Sequence, residues 1–280
     1  MAIEIVRTVE AVRELSRRAS SEKKSIALVP TMGGLHQGHL SLVEKAGQIA
    51  DIVIVSLFVN PAQFNNPDDL ETYPGTEKED LVALSGTKTD ILFAPSVEEM
   101  YPEGFATNIT VSSASDILCD AHRPGHFEGV ATVVAKLFVQ VEPDFACFGE
   151  KDYQQLFIIK SMVRDLNIPV EIVPCETIRE EDGLALSSRN ARLSASDRDI
   201  AAQLNAAMHD AKKAIIDGKL AEAACSAAKA NLEGNGDFRV EYLEYRSEEN
   251  LELVDAYQSN CRLFAAAWLG GVRLIDNLPV

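Results

Sequence analysis

His36 and His39 stand three residues apart in the run Pro30-Thr31-Met32-Gly33-Gly34-Leu35-His36-Gln37-Gly38-His39. The run follows a short β-rich stretch at residues 25–31 and precedes an amphipathic helical pattern at about 38–50. Glycines at a strand-to-helix junction let the backbone come close to a phosphate, and the helix start offers N–H groups and a positive dipole end. Two imidazoles at that point add donors that can stabilise charge growing on a phosphoryl oxygen. The same spacing also suits a zinc pair, although no third histidine or cysteine cluster accompanies it, or a plain structural turn.

Four further segments carry candidate chemistry. Phe58-Val59-Asn60-Pro61-Ala62-Gln63-Phe64 follows a second strand-like run and ends on polar amides; Gln63 there could grip a hydroxy acid, while Asn60 before proline also favours a simple turn. Arg123-Pro124-Gly125-His126-Phe127-Glu128-Gly129 sets a cation near another helix start, or is a surface loop. Its proline excludes a continuous helical face, so His122 and His126 are not expected to form an i,i+4 metal pair. Gly149-Glu150-Lys151-Asp152-Tyr153-Gln154-Gln155 joins a third apolar run to a helix. Lys151 there can neutralise phosphate oxygens, with Gln155 one helical turn further along. In residues 179–190, Ser187, Ser188 and Arg189 follow Gly183, which suits a flexible lid over a triphosphate or an ordinary linker.

These residues need a scaffold that holds several strand ends on one edge. Residues 51–60 are almost wholly apolar, as expected of a strand buried on both faces. Shorter strand-like runs lie at 90–95, 144–150 and 169–176, with helical patterns at 129–141 and 153–166. This alternation predicts an α/β fold, a Rossmann-like parallel sheet with helices on both faces, in which ligands bind beyond the carboxyl ends of the strands. After about residue 177 the order changes to a long helix at 196–218, an alanine-rich helix at 220–233 and strands at 238–246, 261–268 and 271–276. The expected division is a catalytic domain at 1–177 and a smaller α+β domain at 178–280.

The 280 residues include 43 acidic and 26 basic side chains, a net charge of −17. Such a surface repels nucleic-acid phosphates, so no nucleic-acid partner is expected. No apolar run is long enough to span a bilayer, and Met1-Ala2-Ile3-Glu4 lacks a basic-then-apolar pattern, so a cytoplasmic protein with no membrane partner is expected. The five cysteines, Cys119, Cys147, Cys175, Cys225 and Cys261, are scattered and read as reduced, mostly buried thiols.

The H-x-G-H pattern resembles the nucleotidyltransferase superfamily, which includes adenylyltransferases and class I aminoacyl-tRNA synthetases. All five segments together, in order from about residue 26 to 193, resemble the pantothenate synthetase family. That resemblance implies ATP-dependent joining of pantoate to β-alanine through an acyl-adenylate, with Mg2+ accompanying ATP and a homodimeric assembly. It implies an ATP site at Met32, Gly33, Gly34, Leu35, His36, Gln37, Gly38 and His39, with His39 as proton donor. Gly149, Glu150, Lys151, Asp152, Ile178, Leu186, Ser187, Ser188 and Arg189 would complete it, and His36, His39 and Lys151 would carry the catalysis. Gln63 and Gln155 would hold pantoate, β-alanine would also meet the Gln63 region, and Asn60 and Arg123 are further substrate-binding candidates. No metal ligand is assigned; Asp80 is a possible magnesium contact.

This sequence departs from the family in places. Leu186 stands where methionine is usual, a volume-conserving change. Tyr73-Pro74-Gly75-Thr76 has glycine where arginine is usual and receives no role, and Gly34 and Gln37 also differ from the commonest choices. An adenylyltransferase, or a nucleotide sensor that binds ATP without consuming it, is the competing reading.

Overall fold

A computed structural model describes residues 3–64, 73, 75–234 and 236–280. Met1, Ala2 and Pro74, on which two of the sequence readings touch, lie outside that set. The chain divides into two compact units, residues 1–150 with 154–176 and residues 151–153 with 177–280.

The first unit is built on a six-stranded parallel sheet with strand order β1-β4-β3-β2-β5-β6. Its strands are β1 (Glu4–Val6), β2 (Ile26–Thr31), β3 (Ile52–Leu57), β4 (Ile91–Phe93), β5 (Phe145–Gly149) and β6 (Glu171–Cys175). Its helices are α1 (Val9–Ser21), α2 (Gln37–Ile49), α3 (Glu77–Leu84), α4 (Val97–Met100), α5 (Leu118–His122), α6 (His126–Val141) and α7 (Tyr153–Leu166).

The central strands are apolar on both faces because helices cover both. Ala27, Val29, Val53, Val55 and Cys147 pack against Leu42, Val43 and Ala46 of α2. Alternation along the strand turns Phe148 the other way, where Phe138 of α6 meets it edge-on at 6.4 Å. The apolar run expected as a strand over 51–60 is a strand only to Leu57, and the chain then turns into a short 3₁₀ helix at Pro61–Gln63. From β2 the chain runs outward through β3 and β4, and later fills the other side with β5 and β6. The order therefore reverses between β2 and β5, the place in such sheets where the carboxyl ends part and leave a crevice.

The second unit contains a three-stranded antiparallel sheet of β7 (Phe238–Ser247), β8 (Cys261–Leu269) and β9 (Val272–Pro279). Its helices are α8 (Ala195–Ala201), α9 (Gln203–Ile216) and α10 (Ala221–Glu233). Leu204, Met208, Ala211 and Ile215 of α9 and Ala224 and Ala228 of α10 join Val240, Leu263, Ala265 and Leu274 of the sheet in one core. The single long helix expected at 196–218 is interrupted at Ala202, whose ψ of −15° is tighter than an α-helical turn. All five cysteines are buried.

Candidate active site

The Met32–His39 loop leaves the carboxyl end of β2 beside the reversal point. Gly33 and Gly34 have φ of +90° and +64°, a region that L side chains rarely adopt. A Cβ on Gly33 would also lie 3.0 Å from a carboxylate oxygen of Asp80, so both backbone shape and space require glycine there.

That carboxylate organises the loop. Asp80 is 2% exposed; its Oδ1 accepts from the Leu35 N–H at 2.7 Å, and its Oδ2 from the Gly34 N–H at 3.1 Å and the Thr76 hydroxyl at 2.9 Å. The sequence reading gave the loop's N–H groups to a phosphate. In the structure those of Gly34 and Leu35 are taken by Asp80, whose oxygens in turn are engaged by loop donors.

The two histidines cap α2 with their own rings. His36 is the N-cap, and its Nδ1 accepts from the Gly38 N–H at 3.1 Å. Nδ1 of His39 accepts from the His36 N–H at 3.3 Å, closing a capping box. The ring centroids are 4.2 Å apart. A neutral imidazole whose Nδ1 accepts must carry its proton on Nε2. The local fold therefore sets the same tautomer in both rings, with Nε2–H as the donor.

Gln63 ends the turn after β3 and is 8% exposed. Its Oε1 accepts from Asn60 Nδ2 at 3.2 Å, while its Nε2 reaches the Met32 sulfur at 2.7 Å. Its backbone carbonyl accepts from His126 Nδ1 at 2.8 Å and from Arg123 Nη2 at 3.4 Å. Arg123 Nη1, a donor only, lies 3.1 Å from His126 Nε2, an arrangement that matches the tautomer with its proton on Nδ1. Gly129 lies directly behind this turn: a Cβ there would be 2.4 Å from the Ala62 carbonyl oxygen. Thus Met32, Asn60, Gln63 and Arg123, which sequence reading placed on three separate segments, form one cluster. His122 ends α5 and His126 begins α6, so the two do not share a helix face.

Gln154 rather than Gln155 is the structural amide of its pair. Gln154 is 5% exposed, accepts from the Cys119 N–H at 2.9 Å, and donates to the carbonyls of Ile117 at 2.9 Å and Ala114 at 3.3 Å. Among the described residues Gln155 makes no side-chain hydrogen bond and is half-buried. Gly149 and Glu150 lie at the end of β5, also beside the reversal point.

The remaining candidates belong to the second unit. Lys151 Nζ lies 3.9 Å from Asp152 Oδ1, and the Lys151 carbonyl accepts from Asn277 Nδ2 at 2.8 Å. Residues 178–186 form a tight hairpin rather than a loose loop: Leu186 N–H donates to the Ile178 carbonyl at 3.0 Å, and Arg179 bridges to Ala185. Arg179 grips Asp276, 5% exposed, with two bonds of 2.7 and 2.8 Å. Ser187 then caps a 3₁₀ helix, Ser188–Arg192, by accepting from the Arg189 N–H at 3.3 Å.

Among the described residues no group of three or more His, Cys, Asp or Glu is arranged to hold a metal, and no helix is long and apolar enough to cross a membrane.

A family profile described as pantoate-beta-alanine ligase matches residues 4–279. The chain belongs to this family. A pantothenate synthetase of Roseobacter denitrificans is 50% identical over 280 residues, covering 100% of this chain and 99% of that protein. One from Cereibacter sphaeroides is 52% identical over 275 residues, covering 97% and 99%. The solved pantothenate synthetase of Thermus thermophilus superposes with a TM-score of 0.93 at 44% identity, covering 99% of each chain. The Francisella tularensis pantoate-beta-alanine ligase, solved with a β-γ ATP compound and β-alanine, gives a TM-score of 0.82 at 36% identity, covering 99% and 98%. The chain is thus an ATP-dependent ligase that joins pantoate to β-alanine.

Proposed function

We propose that the residues above perform this ligation in two steps. A pantoate carboxylate oxygen attacks the α-phosphorus of ATP, the bond to the β-phosphate breaks, and pyrophosphate leaves with pantoyl-adenylate bound. The neutral amine of β-alanine then attacks the acyl carbon, the acyl–phosphate bond breaks, AMP leaves, and the nitrogen sheds a proton to give pantothenate.

The observation that supports this assignment is the paired capping box. Its two Nε2–H donors are set by the backbone before any ligand arrives, so little reorganisation is needed when charge grows on the transferring phosphoryl group. His39 is the proposed proton donor, with His36 and Lys151 sharing the developing charge. Met32, Gly33, Gly34, Leu35, Gln37, Gly38, Gly149, Glu150, Asp152, Ile178, Leu186, Ser187, Ser188 and Arg189 are assigned to ATP. Because Asp80 already engages the Gly34 and Leu35 N–H groups, Gly33 and Gly34 serve by giving the loop its shape. Gln63 and Gln155 are assigned to pantoate, with Asn60 and Arg123 supporting them.

Mg2+ enters in this reading with ATP, as part of the substrate, held mainly by phosphate oxygens. The proposal also includes a catalytic domain at 1–177 with a lid domain at 178–280, a cytoplasmic location, and a homodimer, which sedimentation would test.

Incubating the protein with pantoate, β-alanine and ATP labelled at the α-phosphate tests the reaction type. The label should appear in free AMP, one for each pantothenate formed. Label retained in an adenylylated product would point to an adenylyltransferase, and ADP with phosphate would rule out an adenylate.

A further inference from the structure

The orientation of the Gln63 amide is set from a distance. Asn60, fully buried, places its Oδ1 3.3 Å from the Ala62 N–H and its Nδ2 3.1 Å from the Gly129 carbonyl. The first partner can only donate and the second can only accept, so these two bonds favour one orientation of this amide. The second Nδ2 proton points at the Gln63 side chain, which must therefore offer Oε1 and keep Nε2–H for something else. Oδ1 of Asn60 has room for one more donor, and the Tyr101 hydroxyl supplies it at 2.8 Å.

Tyr101 is built to hold that position. Its ring lies 5.0 Å from that of Phe105 and 6.1 Å from that of Phe58, with the Lys136 ammonium 5.7 Å from its centroid. Burial pushes its hydroxyl up to about 12, so it stays a protonated donor at neutral pH. The far end of the relay is under-used: among the described residues Nε2 of Gln63 meets only the Met32 thioether, a weak acceptor. A carboxylate or hydroxyl oxygen would be a far better partner.

We propose that Tyr101 is a positioning residue for pantoate, acting through Asn60 to hold the Gln63 amide with Nε2–H toward an acceptor oxygen of the hydroxy acid. This rests on the assignment of Gln63 to pantoate. The relay makes that side of the site a committed donor, so a substrate presenting an N–H group there would find no acceptor. Tyr101 has no direct contact with substrate in this account.

Full-length Tyr101→Phe keeps the ring packing and removes only the hydroxyl. Its KM for pantoate should rise about tenfold while KM for ATP stays near that of the parent protein; because the bond to Asn60 is present without substrate, a small fall in the thermal midpoint accompanies it. Asn60→Asp, which cannot donate to Gln63 Oε1, should weaken pantoate more. Calorimetric pantoate affinity, measured with a non-hydrolysable ATP analogue, gives the decisive comparison even where turnover is lost. Adding Tyr101→Phe to Gln63→Ala should cause no further loss, because the relay then has nothing to orient. An unchanged pantoate KM in Tyr101→Phe, or losses that multiply in the double variant, would overturn the relay while leaving Gln63 as a pantoate ligand. Unchanged pantoate affinity in Gln63→Ala alone would instead overturn the assignment of Gln63, and the relay with it.

Discussion

The glycine loop of the first unit and the 178–190 segment of the second both carry candidate ATP residues, yet they are held in opposite ways. The glycine loop is fastened mostly by near neighbours: two rings cap the helix that follows, and Asp80, some 45 residues on, takes the loop's N–H groups. The 178–190 segment folds back on itself through its own backbone bonds, but its hairpin is fastened from afar by Arg179 on Asp276, 97 residues away, with Asn205 adding a bond of 3.1 Å to the same carboxylate. Short-range capping builds a rigid donor array, whereas a remote anchor places much of a segment's stability on a charge pair far along the chain. The first arrangement suits groups that must be in place before reaction, and the second makes a single side chain decisive.

The sharpest way to break that contrast is to remove the anchor. Arg179→Met leaves Asp276 buried without its cation, and breaking such a pair costs about 3–5 kcal/mol. Thermal unfolding should show that loss in the second unit, with hydrogen exchange of residues 178–186 accelerated and that of α2 unchanged. Equal acceleration in both regions would remove the distinction.

A slightly smaller effect, confined to chemistry, is expected from the cap. His39→Ala removes an Nε2–H donor, and the adenylation rate should fall by about a hundredfold, roughly 3 kcal/mol, in a protein that still folds. Lys151→Ala should match it if both donors face the same charge, and near-normal single-turnover rates in either variant would remove that residue from the mechanism.

Asp80→Asn gives the smallest of these effects. It trades one acceptor oxygen for an amide that must face a donor, so about 2 kcal/mol of stability should be lost. KM for ATP should rise while that for pantoate holds; unchanged ATP affinity would show that the glycine loop does not depend on the carboxylate.

Much of this was legible in the residues themselves. The apolar runs at β2, β3, β5 and β6 stand out because a parallel strand is covered on both faces, and glycine followed by histidine at a strand end shows where the helix begins. The ends of β3 and α6 differ from the sequence expectation by a few residues, since Phe58 and Val59 are as apolar as a strand but turn away, and Gly125 in a left-handed conformation starts α6 early. The sequence alone does not show Asp80, Tyr101, Gly129 or the His126 ring in these roles. Each acts on a residue tens of positions away, and no local pattern reports such a pairing. Gln155 stood out by its spacing, but spacing did not reveal that Gln154 is the one spent on structure. The 179–190 segment reads as flexible because it carries Gly183 and the Ser187 and Ser188 hydroxyls; Asp276, which tightens its hairpin, arrives almost a hundred residues later.

The most direct test of the account is isotope exchange between pyrophosphate and ATP. If the preset donors in the first unit activate pantoate before the amine enters, pantoate and Mg-ATP alone should support exchange of labelled pyrophosphate into ATP. β-Alanine should be unnecessary for it, and His39→Ala should suppress it in step with overall turnover. Exchange that strictly required β-alanine would contradict the acyl-adenylate order.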